Sequence, residues 1–542
     1  MVKRIGLVIF LVLLMGASIS YAQDRYAIHY RYKPQTTFSL DAPEQLLLEK
    51  SLDRRMREGV RVDSMDLPVS PKYIEAITPL VNKIQYHSKW LNASVVVATE
   101  AQMAKIAGLP FVRETVLVGR GFYADTYDGK KESLRIPVSV RLKSKRTESY
   151  DFQNEILGIP AMHEAGFTGA GVTIAVFDAG FNNVDKISAM QHLFKKDRIV
   201  ATRDFVTPAV TDVFRMDGHG TASLSVMAAF EPGQLVAGAY DANYILCITE
   251  DVQSEYKIEE YNWVRAAEFA DSLGADIINS SLGYNRFDDA AMNYSKEDLD
   301  GETAIITQGA VIAAQKGILV VSSAGNEGNG SWETITAPAD AAGILAVGSV
   351  TNQLEKSSFS STGPTADGRI KPDLVALGSG VTIWRQVDSP GFSSGTSFSS
   401  PQVAALAAGL WQARPEWTRE QLIESLLASG TRSEEPDSEL GYGVPHFLEA
   451  YYGKILDQEE MKRAFIYPNP LDGQELFIHH GNEKGCRFRV ISTAGQVLAD
   501  EGLHRTSPNY PYQVRINHIP PGLYIIECRD NVDKQNFRLL VR

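Results

Sequence analysis

Cysteine is almost missing, with three residues in 542. That excludes the disulfide frameworks of small secreted scaffolds, and the spacing of Cys247, Cys486 and Cys528 fits no thiolate metal site. Cys247 lies in the apolar run Tyr244–Ile248 and reads as a small buried hydrophobe, whereas pairing of Cys486 with Cys528 is left open. Positive charge is also short. Lys and Arg number 53 against 66 Asp and Glu, a net charge of −13, and this lacks the basic footprint of a nucleic-acid partner. Past the first twenty-odd residues, no apolar run approaches the roughly 18 residues needed to span a bilayer, so no transmembrane anchor is expected in the mature chain. There is no Gly-X-Y period and no internal repeat. With 44% hydrophobic and 22% charged residues, the fibrous and disordered classes drop out.

What is present begins with an export signal. Lys3 and Arg4 precede an apolar run from Ile5 to Ile19, and Ser20-Tyr21-Ala22 supplies a small-x-small cleavage site, so residues 1–22 read as a signal peptide. The remaining length exceeds one ordinary domain, and its pattern changes twice. Residues 23–150 are rich in charge. Pro68-Val-Ser-Pro71 predicts a helix start with Ser70 as cap, Ala93–Ala98 a strand, Thr99-Glu-Ala-Gln102 a capping box ahead of a short helix, and Val112–Val118 a second strand. This small α+β unit ends in the basic run Arg141–Arg146, either a solvated segment or a processing site.

Residues 151–455 alternate continuous apolar strands with helical segments: Val172–Phe177, His219–Phe230, Tyr244–Ile248, Trp263–Leu273, Asp276–Asn279, Thr303–Gln315, Ile318–Val321, Leu345–Val350 and Ser400–Ala413. Strands apolar on both faces, interleaved with helices, predict an α/β domain with a parallel sheet flanked by helices. After the charged linker Leu456–Arg463, residues 464–542 turn to short alternating runs divided by Pro and Gly, which predict a small β-sandwich.

Three motifs in the α/β domain carry chemistry. Gly171-Val-Thr-Ile-Ala-Val-Phe-Asp178-Ala-Gly180 puts an acid at the C-terminal end of a buried strand, where α/β sheets place their sites. Asp217-Gly-His219-Gly-Thr-Ala-Ser puts a histidine at a helix start between glycines that allow close backbone approach. Ser393-Ser-Gly-Thr-Ser397-Phe-Ser-Ser-Pro401 starts a buried helix at Ser397, where backbone N–H groups favour developing negative charge; Pro401 is expected in its first turn. Taken singly, each also fits a plain role as cap or loop residue.

Together, in the order Asp, His, Ser, they resemble the subtilisin-like serine proteases, the subtilases; no Gly-x-Ser-x-Gly elbow surrounds Ser397. Two further segments extend the resemblance over residues of about 160–450. Ser280-Ser281-Leu282-Gly283 is similar to the family's substrate-binding segment, and Ser322-Ser-Ala-Gly-Asn326-Glu-Gly328 to its oxyanion-hole segment. The resemblance implies a secreted endopeptidase in which Ser397 attacks the scissile carbonyl, His219 transfers the proton, Asp178 orients His219, and Asn326 with the Ser397 N–H binds the oxyanion. Ser281, Leu282 and Gly283 would pair with the substrate, a protein or peptide. No cofactor is implied for the chemistry; structural Ca²⁺ is common in the family but no site can be placed, since Asp298-Leu-Asp300-Gly301 lacks the acid that would close a calcium loop. The chain departs from the pattern at three places: Ala179 stands for the usual Ser or Thr, Phe398-Ser399-Ser400 for the usual Met-Ala-x, and Gln402 for the usual His. Residues 23–150 are similar to the family's propeptides, which implies self-cleavage between about Arg135 and Phe152.

The C-terminal unit resembles something specific too. Tyr467-Pro-Asn-Pro470, Gly495, Gly522-Leu-Tyr524 and the terminal Phe537–Val541 resemble the type IX secretion sorting domain, which implies that machinery as a partner, passage through the periplasm, and release or surface attachment. The competing class, a non-catalytic binding protein on a protease fold, is opposed by the complete Asp178, His219, Ser397 and Asn326 set. His163, His192 and His446 read as structural; His479, His480 and His504 read as surface residues.

Overall fold

The structure, a computed structural model, describes residues 23–34, 38–121, 152–387, 389–452, 465–467, 469–471, 474–480, 485–505, 511–517, 519–531 and 534–542. The expected signal peptide, the basic run at 141–146, the linker at 456–463 and nearly all of the expected cleavage stretch lie outside them. The chain divides into two compact units, Met1–Gly453 and Lys454–Arg542.

At the centre of the first unit is a seven-stranded sheet with every neighbouring pair parallel. Its order is Leu374–Leu377, Leu345–Val350, Leu319–Ser323, Ile277–Ser280, Thr173–Asp178, Asn243–Ile248 and Ile199–Asp204. Alternation along the strand assigns its two faces. Ile278 joins the core with Trp263, Val264 and Ala310 of the helices Ile258–Ser272 and Ile305–Gln315. Its neighbour Asn279 points the other way and accepts a hydrogen bond from Ser400 of the helix Thr396–Ala413 at 2.8 Å. That helix is apolar and buried almost all round, as a helix laid between a sheet and a further layer must be.

Residues 24–119 form a four-stranded antiparallel sheet in the order Lys83–Ser88, Ala93–Ala98, Asp24–Tyr30 and Val112–Gly119. With the helices Pro71–Ile77 and Glu100–Ala107 this is a βαββαβ arrangement. The capping box at Thr99 and Gln102 forms with both hydrogen bonds. Ser70 precedes Pro71 as expected, yet its hydroxyl makes no capping bond. The sheet packs on the helix Ile258–Ser272: Ala27, Trp90, Val95 and Val118 share one core with Trp263, Ala266 and Ala270.

The second unit holds two antiparallel sheets, one of three strands (Phe465–Tyr467, Glu475–His479, Tyr512–Arg515) and one of four (Val497–His504, Gly485–Ser492, Gly522–Arg529, Lys534–Val541). Leu476, Ile478 and Tyr512 of the first meet Phe488, Val490 and Ile526 of the second in a common core. The Cys486 and Cys528 Sγ atoms lie 2.9 Å apart as thiols. His504 is exposed, but His480 is fully buried beside Asp530, at 3.5 Å, which corrects the surface reading; its carbonyl is held by Arg505 at 3.1 Å.

Candidate active site

The C-terminal ends of three adjacent parallel strands supply one wall of the site. Asp178 ends the strand Thr173–Asp178; Ser281–Gly283 follow Ile277–Ser280; Gly325 and Asn326 follow Leu319–Ser323. Helix starts supply the rest, since His219 opens the helix His219–Ala228 and Ser397 is the second residue of Thr396–Ala413. The topology therefore gathers residues up to 219 positions apart at one edge of the sheet, the edge where α/β folds bind ligands.

Asp178 is fully buried and its Oδ1 accepts from His219 Nδ1 at 2.8 Å and from the Ala179 N–H at 2.8 Å. Its Oδ2 is buried without a partner, and Ala179 offers no hydroxyl to fill the gap. The bond to Nδ1 fixes the tautomer and leaves His219 Nε2 as the nitrogen that can exchange a proton. The Asp217 carboxylate holds the His219 N–H at 2.6 Å and is itself held by Arg385 at 3.2 Å. Burial opposes the charged imidazole, but Asp178, through its charge and hydrogen bond, with Glu250 and Asp217 beyond it, outweighs that and raises His219 to about 9. Gly220 is required by close approach: a Cβ there would sit 2.4 Å from the Gly180 carbonyl oxygen and 2.8 Å from Asp178 Cβ.

Around Ser397 the geometry follows from a proline. Pro401 lies in the second turn of the helix rather than the first, because the helix begins one residue before Ser397. With no N–H to give, Pro401 leaves the Ser397 carbonyl, four residues back, without its helical donor. The Ser281 hydroxyl replaces it at 2.9 Å, and Ser281 Oγ in turn accepts from Asn279 Nδ2 at 3.1 Å. Reciprocally, Ser397 Oγ donates to the Ser281 carbonyl at 3.1 Å. Resting geometry thus ties the hydroxyl to the neighbouring segment, while the His219 ring packs on Phe398, next in sequence, with centroids 5.6 Å apart. Gln402 bonds the Leu377 and Phe398 carbonyls at 2.6 and 2.7 Å, so its departure from the family pattern is absorbed in packing.

Asn326 is exposed, and its Oδ1 accepts from the Thr396 N–H at 2.9 Å and the Thr396 hydroxyl at 3.0 Å. That anchors the carbonyl end of the amide and frees Nδ2 to donate elsewhere. The Ser397 N–H belongs to the first helical turn, whose amides have no acceptor within the helix. Gly395, ahead of that turn, has φ +153°, a conformation that glycine alone adopts without strain. Of the residues expected to meet substrate, Gly283 is exposed, whereas Ser281 and Leu282 are buried, at 3% and 4%. Ser281 turns inward to hold the Ser397 segment, a positioning part that its place in a substrate-binding motif concealed.

Comparison with known proteins matches three stretches of the chain to known families. Residues 169–443 match the model of the Subtilase family, residues 25–131 that of the Peptidase S8 propeptide domain of Bacteroidota, and residues 465–542 that of the Secretion system C-terminal sorting domain. The chain is similar to Subtilisin from Bacillus pumilus, 30% identical over 280 residues that cover 50% of this chain and 88% of that protein. It is also 30% identical to Subtilisin E of Bacillus subtilis and to Serine protease AprX of the same organism, over 278 and 302 residues. Each of these alignments covers 50% of this chain and 64% of the relative, so the chain spans just under two thirds of the length of several relatives it matches.

Proposed function

This chain belongs to the subtilase family, and from that premise we propose that it is an endopeptidase acting through Asp178, His219 and Ser397, with Asn326 in the oxyanion site. A subtilisin-like serine peptidase with a secretion sorting tail is the coarse description that the family matches already carry. The tail marks the protein for type IX export, to be released or held at the cell surface, and among the described residues no helix is long and apolar enough to cross a membrane.

One observation carries the finer reading: the 2.8 Å bond between buried Asp178 and His219 Nδ1, on a ring that packs against the residue after Ser397. His219 Nε2 takes the Ser397 proton as Oγ leaves the Ser281 carbonyl and attacks the peptide carbonyl. The negative oxygen that forms is met by Asn326 Nδ2 and the Ser397 N–H, and His219 returns the proton to the leaving amine. Gly283, exposed beside the site, is positioned to pair with extended substrate backbone. No step calls for a metal or cofactor. Residues 23–150 act as a prosegment, removed by self-cleavage between about Arg135 and Phe152.

The test is labelling with a fluorophosphonate probe of the exported protein and of Ser397→Ala, followed by intact mass. Wild type alone should label, at a mass lacking the prosegment, and Ser397→Ala should keep it. A folded, processed wild type that stays unlabelled would make the chain a binding protein on a protease fold. Processing of Ser397→Ala at the same bond would end self-cleavage.

A further inference from the structure

The segment after the strand Asn243–Ile248 brings three carboxylates together next to His219. Glu250, Glu255 and Glu259 each turn an oxygen toward the others, and these oxygens all lie within 4.8 Å of one another. Glu259 is fully buried; Glu250 and Glu255 are half-buried. Three carboxylates in so small a space repel one another and are poorly solvated, which costs several kcal/mol per ion unless a cation compensates. Among the described residues none of the three forms an ion pair. Arg25 lies over the Tyr256 ring at 5.6 Å and feels Glu259 through space, as His219 feels Glu250. The Glu259 oxygens accept N–H groups of Tyr256 and Asp251 at 3.1 and 3.3 Å, which leaves lone pairs over.

Tyr284 is the second, independent sign. It is 1% exposed, and its hydroxyl is buried with no hydrogen-bond partner. Burial aside, the charges acting on that phenol are those of Glu259, Glu250 and Glu255, then Glu260, so it stands close to the same cluster. A buried hydroxyl without a partner beside three acids that form no ion pair among the described residues marks a place that a ligand completes.

We propose that Glu250, Glu255 and Glu259, with the Tyr284 hydroxyl beside them, bind a hard divalent cation of the calcium class. Calcium takes oxygen ligands at about 2.3–2.6 Å, so opposite ligands stand about 5 Å apart, which matches the observed spread. A donor set without sulfur or imidazole disfavours zinc, and magnesium holds its waters too tightly for a half-buried acid cage. The ion ties the 250–255 loop to the first turn of the helix Ile258–Ser272. Thr249, at the base of that loop, donates its N–H to the Asp178 carbonyl at 3.1 Å, so the cation braces the support of Asp178. The site stands whether or not Ser397 is the nucleophile.

The test uses the full-length Ser397→Ala protein, stripped with a chelator, alongside the same protein carrying Glu250→Gln or Glu255→Gln. Calcium alone is titrated calorimetrically, and the unfolding temperature is read with and without it. The parent should bind one more equivalent than either glutamine variant and gain more in unfolding temperature. Glutamine keeps the shape of these half-exposed side chains; should one variant not fold, the other and Tyr284→Phe, which removes only an oxygen, carry the same comparison. Equal binding and equal thermal shifts in parent and variants would overturn the proposal. So would unchanged calcium binding by Glu250→Gln and Glu255→Gln made on the active enzyme, combined with weaker cleavage of peptides bearing Lys or Arg, since the pocket would then receive a substrate's basic side chain.

Discussion

Two histidines show how one side chain takes opposite roles from its surroundings. His446 is half-buried and its loss of solvent lowers it to about 4, whereas His219, faced by Asp178, is raised to about 9. In the mechanism proposed above, the base must be neutral to accept the Ser397 proton, so kcat/KM should rise with pH through the His219 titration. We expect its half-maximal point well above the 6.5 of an ordinary histidine, towards 9. Asp178→Asn should bring that point down towards 6.5 and lower kcat by about 10⁴-fold, a magnitude known for this change in a chymotrypsin-type protease and not obtained from this structure. A pH–rate profile of both proteins decides it, and an unmoved acidic limb would show that Asp178 does not set the histidine. The sequence made these residues legible because Asp178, His219 and Ser397 stand in motifs with glycines where backbones must touch, as Gly220 shows. It hid Ser281, whose work depends on a proline 120 residues away.

At the scale of elements, the reading was good where apolar runs were continuous and poor where they were not. Leu345–Val350 was expected at its observed bounds, and Asn243–Ile248 within one residue. Ile199–Asp204 went unpredicted because it is an edge strand with exposed, charged positions, and Val497–His504 because most of it faces solvent. The helix Ile258–Ser272 starts five residues ahead of its expected start at Trp263, since its first turn carries the charged Glu259 and Glu260, which interrupt the apolar run yet are buried. Within the helix Thr396–Ala413 the break at Pro401 is mended from outside by Ser281. Ser281→Ala leaves the Ser397 carbonyl buried and unpaired, for a loss of about 1–3 kcal/mol. Urea unfolding on the Ser397→Ala background should register it; a change below about 0.5 kcal/mol would mean the carbonyl finds another donor.

For the first compact unit as a whole, the segment 23–121 docks through charges that sequence alone assigns to solvent. Arg54 and Arg55 are buried against Asp271, Arg55 also meets Asp66 at 3.0 Å, and Lys316 meets Asp63 and Asp66 at 2.9 and 3.1 Å. Apart from Arg55 and Asp66, which are 11 positions apart inside the segment, these partners lie more than 200 positions apart, so no local pattern could announce them. His29 belongs to the same face: it is 2% exposed and bonded to the Tyr261 hydroxyl at 2.9 Å. Burial, then Arg113, lower it to about 4, while Glu114 works the other way. A histidine lowered on folding favours the native state above its ordinary value of 6.5, and that contribution is lost as pH falls from 6.5 towards 4. Asp66, lowered to about 2 by Arg55 against the effect of its burial, begins to lose its share only below 3.8. The docked, uncut protein should therefore lose stability between pH 6.5 and 4, with His29 contributing on the docked face beside His446, which is lowered to the same value. Urea midpoints of Ser397→Ala across that range, with and without His29→Gln, measure this: the variant's profile should be flatter, because glutamine cannot charge. Parallel profiles would place the acid-sensitive contact elsewhere than on the face where the prosegment meets the helix Ile258–Ser272.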